Sequence, residues 1–115
     1  MNECLFCRIA AGEIPAKEIA RSAVAMAFHD INPQAPTHAL VVPLAHLSGP
    51  AAAQGEAGQR LLGLVLSFAV EVAERLGLAE GGYRLVLNQG ADGGQSVDHL
   101  HVHVLGGRRM KWPPG

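Results

Sequence analysis

Between residues 99 and 105, histidine alternates with aliphatic residues in the order His-Leu-His-Val-His-Val-Leu. Successive side chains of a β-strand point to opposite faces. This period of two predicts a strand from Asp98 to Leu105. Its three histidines, His99, His101 and His103, share one face. Imidazole is polar and each buried ring nitrogen requires a partner, so three histidines on one strand favour a functional site over the ordinary alternative, a solvated surface.

Two chemistries are open to such a strand. Two histidines two residues apart can hold zinc with an open water position, which would make the chain a metal hydrolase. Alternatively, a neutral imidazole can attack phosphorus directly and form a covalent intermediate, without a metal. In that case His101 is the attacking residue, and His103 binds a non-bridging phosphate oxygen as charge develops.

The remaining sequence predicts two helices and four more strands. Asn2 is the expected cap of a short helix that carries Cys4 and Leu5 and ends at Gly12. The long helix, 56–76, has apolar residues at helical spacing. The further strands are predicted at 18–22, 24–28, 38–42 and 83–87. This order predicts an α+β fold: an antiparallel sheet of about five strands, with one long and one short helix on one face.

Length and composition exclude several classes of protein. The 115 residues suit a single domain, 1–115, and 49% hydrophobic with 17% charged residues predicts a globular chain. The net charge is -1, and the basic residues are scattered, which argues against a nucleic-acid partner. The longest apolar stretch is interrupted by polar residues, which argues against a membrane span. With two cysteines and no basic-apolar leader pattern, we expect a cytoplasmic protein.

A glycine-rich loop, Gly90 to Ser96, leads directly into the histidine strand. By itself it is typical of a flexible connection that uses glycine for positive φ. Backbone amides without side chains in the way can also approach a phosphate closely. Beside the histidines, we favour the interpretation as a phosphate cradle.

The run from His99 to Leu105 resembles the signature of the histidine triad (HIT) superfamily. The likeness covers essentially the whole chain and is strongest to the Hint branch. The segments that carry it are Leu5-Phe6, Gly12 to Ala16, Phe28 to Ile31, Pro36 to His38, Asn88, Asp92 to Val97 and Gly106 to Gly115. The resemblance implies a HIT-like fold in which the sheets of two chains join across a two-fold homodimer. It also implies that the C-terminal tail, 107–115, reaches the partner subunit.

The resemblance implies a reaction as well. His101 becomes nucleotidylated and water then releases the nucleotide, with no metal or other cofactor in the chemical step. The His99 carbonyl sets the His101 tautomer, His38 supports the triad, and Ser96 serves the leaving group. The implied activity is purine nucleoside phosphoramidate hydrolysis, with AMP or GMP as products. The alternatives are dinucleoside polyphosphate hydrolysis, as in the Fhit branch, and a nucleotide-binding scaffold with incidental hydrolysis.

The same resemblance assigns the nucleotide-binding residues. Asp30 is expected to accept the ribose hydroxyls, and Trp112 is expected to act in the partner's site. The base pocket and the phosphate site are expected to comprise Leu5, Phe6, Phe28, His29, Ile31, Asn88, Gly94, Gln95, Ser96, Val97, His101 and His103. Asp98 stands where relatives often carry a bulkier residue, which alters the rim of the site.

The pair Cys4-x-x-Cys7 supports two interpretations. The thiols can pack as small buried hydrophobes. Alternatively, they can form a tetrahedral structural zinc site together with His46 and His99. Some bacterial Hint-like proteins resemble the second arrangement, and we favour it. It would orient His99 and leave His101 and His103 free for chemistry.

Overall fold

The computed structural model describes residues 4–115, so the cap predicted at Asn2 lies outside the described part of the chain. The elements are α1 (Leu5–Ala10), β1 (Glu18–Arg21), β2 (Ala25–His29), β3 (Thr37–Pro43), a 3-10 turn (Pro50–Ala52), α2 (Gly55–Arg75), β4 (Tyr83–Leu87) and β5 (Val102–Gly106). The strands form one sheet in the order β1-β2-β3-β5-β4, and every neighbouring pair is antiparallel. The predicted α+β fold, with five strands and one long and one short helix, is confirmed.

The long helix α2 covers one face of the sheet. Val65, Ala69 and Val72 form its buried stripe, each at most 1% exposed. They pack on small and β-branched side chains of the sheet, namely Ala27, Ala39, Val41, Val102 and Val104. Alanine at the contact lets helix and sheet approach closely, and each buried valine contributes about 1.5 kcal/mol or more. Within residues 4–115, no helix is long and apolar enough to cross a membrane.

The short helix α1 packs on the opposite face, so the prediction that both helices share one face is wrong. Phe6 and Ile9 of α1 contact Met26, Phe28 and Leu40, which alternate along β2 and β3 with the side chains beneath α2. The physical reason is that β2 and β3 are apolar on both faces. The second face therefore also requires a cover, and α1 supplies it.

The histidine strand is shorter than predicted. β5 begins at Val102, so His99 and His101 precede the strand and only His103 lies in it. The register pairs Val41 with Val102, which would place Pro43 opposite Leu100 if the ladder continued. Proline has no amide hydrogen to donate, so the ladder ends there. The prediction of one strand from Asp98 to Leu105 is therefore wrong.

Candidate active site and metal centre

A cavity of about 270 Å³ lies between α1 and the sheet and ends at the histidines. Its walls are mostly apolar. Ten residues predicted to bind the nucleotide line it: Leu5, Phe6, Phe28, His29, Asp30, Ile31, Ser96, Val97, His101 and His103. The structure thus brings together an apolar slot, one carboxylate and two imidazoles, which suits a flat aromatic ligand that carries an anionic group.

Four predicted residues do not line this cavity: Asn88, Gly94, Gln95 and Trp112. The Gln95 amide instead holds its own loop, because Nε2 donates to the Ser48 oxygen at 2.6 Å and Oε1 accepts from the Gly90 amide at 2.8 Å. Trp112 is 81% exposed. Its ring lies beside β4, 5.9 Å from the Arg84 guanidinium carbon.

His101 is held as a single tautomer. Its Nδ1 lies 2.7 Å from the main-chain oxygen of His99 and donates to it, because a carbonyl can only accept. The hydrogen of the neutral ring is therefore on Nδ1, and Nε2 keeps its lone pair. Phe6 fixes the ring plane through an edge contact, with 5.1 Å between ring centroids. The ring is 4% exposed, so its unprotonated nitrogen is oriented and largely shielded from water.

His38 and His103 form a directed hydrogen-bond chain. The Gln34 amide donates to His38 Nδ1 at 3.0 Å, which places the ring hydrogen on Nε2. That nitrogen lies 2.9 Å from His103 Nδ1. Burial lowers the pKa of His38, and burial together with the neighbouring histidines lowers the pKa of His103 to about 4. Both rings are thus neutral at pH 7, and when His38 Nε2 donates to His103 Nδ1 the hydrogen of His103 is on Nε2, available to an anionic oxygen.

Asp30 stands where this chain of hydrogen bonds meets the cavity. Its Oδ1 accepts from the Asn32 amide at 2.8 Å, and its Oδ2 lies 3.4 Å from His38 Nε2. A second chamber, of about 810 Å³, adjoins the first at Asp30 and extends to Lys17 and His38. The carboxylate therefore has a fixed orientation and borders open space on two sides.

The four predicted metal ligands come together at the N-terminal end of α1. Their donor atoms lie within 4.8 Å of one another. Cys4 Sγ is 3.2 Å from His99 Nδ1, and Cys7 Sγ is 3.3 Å from His46 Nδ1. The two Nδ1 atoms are 3.1 Å apart. A tetrahedral zinc with its usual bond lengths separates such ligands by about 3.3 to 3.8 Å.

The surroundings of His99 also suit a metal ligand. Its Nε2 donates to the Pro43 carbonyl at 3.0 Å, which leaves the Nδ1 lone pair directed at the thiols. Burial lowers the pKa of His99, which keeps the ring neutral as a ligand must be. Two thiols and two imidazoles fit a structural zinc with no open coordination position. His101 and His103 are not part of this cluster.

Some residues of the cavity are not predicted from the sequence. Ile9, Ile14 and Leu40 also line the apolar cavity. Ile9 follows Phe6 by three residues on α1, a helical spacing that would have placed both on one face. The Gln34 amide is a main-chain group, so no side-chain pattern marks it.

A family model described as the HIT domain matches residues 11–110, and the chain belongs to the HIT family. The "14 kDa zinc-binding protein" of Zea mays is 49% identical over 113 residues, which are 96% of this chain and 87% of the maize protein. A crystal structure of a HIT family hydrolase from Legionella pneumophila superposes with a TM-score of 0.93 at 48% identity. That match covers 98% of this chain and all of the other.

A more distant structure is similar as well. The histidine triad nucleotide-binding protein of Candida albicans is 29% identical, with a TM-score of 0.82. The match covers 96% of this chain and 83% of that protein. The fold is thus shared with bacterial and fungal proteins along nearly the full length of the chain.

Proposed function

We propose that this chain hydrolyses purine nucleoside phosphoramidates at the α-phosphate and releases AMP or GMP together with an amine. The observation that carries the proposal is the 2.7 Å contact from His101 Nδ1 to the His99 oxygen, because it leaves Nε2 unprotonated beside the apolar cavity. The names of two relatives, a HIT family hydrolase and a histidine triad nucleotide-binding protein, agree with this chemistry.

In the first step the His101 Nε2 lone pair forms a bond to phosphorus and the bond from phosphorus to the amine nitrogen breaks. The departing nitrogen takes a proton, for which the Ser96 hydroxyl at the cavity wall is the proposed donor. His103 Nε2–H donates to a non-bridging oxygen as negative charge accumulates there. The result is a nucleotidyl group on His101 and a free amine.

In the second step a water oxygen bonds to phosphorus and the bond to His101 Nε2 breaks. One proton of that water restores the Ser96 hydroxyl, and the other is retained by or released from the nucleotide according to pH. The sum is one water consumed per phosphoramidate. Splitting the displacement in two lets a poor leaving group depart before water enters.

The purine fits the slot between α1 and β2, where Phe6 and Phe28 are each 4% exposed and lie 5.7 Å apart as an edge-to-face pair. Such rings offer flat apolar contact and few polar groups that distinguish adenine from guanine. Asp30 would accept the ribose hydroxyls, since its carboxylate borders the cavity. Ile31 is fully exposed and would cover the bound base.

Zinc is proposed to occupy the cluster of Cys4, Cys7, His46 and His99, as the distances and the name of the maize relative support. The metal would supply structure rather than chemistry, because four protein ligands complete its coordination. Thiolate ligands persist where thiols stay reduced, which agrees with a cytoplasmic location.

A homodimer is proposed to form along β4. This strand is at the edge of the sheet, so one side of its backbone is unpaired and can add a strand from a second chain. Arg84 of β4 donates to the Lys111 oxygen at 2.9 Å and so holds the tail at the same edge. Tail residues 107–115 would then reach the partner's site.

The test compares an adenosine phosphoramidate with a diadenosine polyphosphate in steady-state assays of wild type and His101→Ala. We expect turnover of the phosphoramidate, at least 1000-fold loss in the variant, and an acid-quenched wild-type adduct whose mass equals the chain plus one nucleotidyl group. His103→Ala is the matched control, which should slow the reaction but still form the adduct. Preferred cleavage of the polyphosphate, binding without turnover, or undiminished activity of His101→Ala would each overturn the proposal.

A further inference from the structure

The hydrogen on His38 Nε2 has two acceptors within reach. The Gln34 amide occupies Nδ1, so Nε2 is the only protonated nitrogen of the neutral ring. His103 Nδ1 lies 2.9 Å from it, and Asp30 Oδ2 lies 3.4 Å from it. One hydrogen is thus shared between the residue expected to hold the ribose and the residue expected to hold the phosphate.

We propose that the ribose hydroxyls, by binding Asp30, commit the His38 hydrogen to His103 and so complete the phosphate site. This inference rests on the proposed function. In this arrangement Asp30 is a positioning residue as well as a sugar ligand, and the substrate class is restricted to ribonucleotides by reaction rate in addition to affinity.

The contacts allow Asp30 and His103 to compete for the hydrogen on His38 Nε2. A carboxylate is a stronger acceptor than a neutral imidazole, and the His38 and Asp30 side chains are only 4% and 17% exposed, so water screens their attraction weakly. The shorter distance favours His103 and the stronger acceptor is Asp30, so the two compete for the hydrogen when no sugar is bound. Two hydroxyls that donate to the Asp30 carboxylate would weaken it as an acceptor for the His38 hydrogen.

The consequence for His103 concerns its second nitrogen. When Nδ1 accepts from His38, the ring hydrogen must be on Nε2, where it can donate to phosphate. When Asp30 draws the His38 hydrogen away, the tautomer of His103 is no longer fixed. A sugar ligand that acted through affinity alone would alter ground and transition state equally and leave kcat unchanged.

The kinetic test uses two adenosine phosphoramidates that differ only in the sugar, ribose or 2′,3′-dideoxyribose, each at saturating concentration. The single-turnover rate of the first step is expected to be about tenfold lower for the dideoxy substrate, as for the loss of one hydrogen bond. Asp30→Asn should bring the two rates together. Glu80→Gln makes the same chemical change in an exposed turn and should keep the tenfold ratio. Equal wild-type rates for the two sugars would overturn the coupling while leaving the proposed hydrolysis intact.

A second measurement needs neither turnover nor a variant. Nitrogen NMR of ¹⁵N-histidine-labelled wild type is recorded at saturation with AMP and with 2′,3′-dideoxy-AMP. We expect His103 Nε2 to become fully protonated with AMP and to remain a mixture of tautomers with the dideoxy nucleotide. Identical His103 signals in the two complexes would refute the coupling. If AMP did not bind at all, the proposed function and the coupling would both be wrong.

Discussion

His99 contacts His101 and the thiol cluster with different parts of the same residue. Its main-chain oxygen accepts from His101 Nδ1 at 2.7 Å, and its ring Nδ1 lies 3.2 Å from Cys4 Sγ. Phe6 touches both imidazoles, with ring centroids 5.9 Å from His99 and 5.1 Å from His101. Helix α1 therefore joins the cluster of Cys4, Cys7, His46 and His99 to the wall of the cavity, and the position of the His101 ring depends on both.

Removal of the thiols is expected to weaken both the fold and nucleotide binding. Wild type purified without chelator should contain about one zinc per chain, and Cys4→Ala with Cys7→Ala should contain none. The melting temperature should fall by at least about 5 °C, since a site that closes α1 onto the sheet is lost. Metal analysis, calorimetry and AMP titration measure the three effects. Two results would contradict this prediction. One is wild-type protein that contains no zinc, and the other is a double variant that retains zinc and binds AMP with wild-type affinity.

Phe6 is expected to serve stability and binding together. Phe6→Ala removes a side chain that is 4% exposed and should lower the free energy of unfolding by about 3 kcal/mol. It should also weaken AMP binding, because the ring forms one wall of the cavity. Phe68→Ala, on the α2 face, is the matched control: it should destabilise the fold but leave AMP affinity unchanged. Urea unfolding and calorimetric titration separate the two effects, and equal AMP affinity in both variants would disprove the role of Phe6.

Sequence patterns predicted the sheet because period-two alternation and the long apolar helix are local signals. They failed where a neighbouring strand decides the outcome. The start of β5 depends on Pro43, whose missing amide hydrogen ends the ladder, and Pro43 is more than fifty residues away in the chain. The position of α1 depends on β2 and β3 being apolar on both faces, which the pattern of a single strand does not reveal.

The candidate site was also predicted only in part. The residue types at the cavity follow from the resemblance, and Leu5, Phe28 and Asp30 do line it. The proton positions do not follow from sequence, because the main-chain groups of Gln34 and His99 set the tautomers of His38 and His101. Those contacts depend on how loops fold back, which a pattern of side chains does not specify.

The half-buried His103 is expected to make the fold sensitive to acid. Its pKa is about 4 in the folded chain, below the ordinary value of 6.5 that applies to the unfolded chain. Between these two pKa values the unfolded state binds more protons than the folded state. The contribution of His103 to stability is therefore complete above about pH 6.5 and falls as the pH is lowered toward 4. His103→Asn should give a shallower loss in urea-unfolding midpoints over this range. His29→Asn, at an exposed histidine, should keep the wild-type slope, and equal slopes in all three proteins would refute the assignment.

The tail is expected to act on the partner's site. Trp112 is 81% exposed, and Arg84 and the Lys111 oxygen hold the segment at the edge strand β4. Removing residues 109–115 should change the ratio of kcat/KM between bulky and small amine leaving groups, with a smaller effect on unfolding. The decisive sample is a mixed dimer of the truncated chain with full-length His101→Ala. In this dimer only the truncated chain retains His101. Wild-type selectivity would therefore require the tail of the full-length chain to cross the two-fold axis. The selectivity of the truncated homodimer would instead show that each tail acts on the site of its own chain.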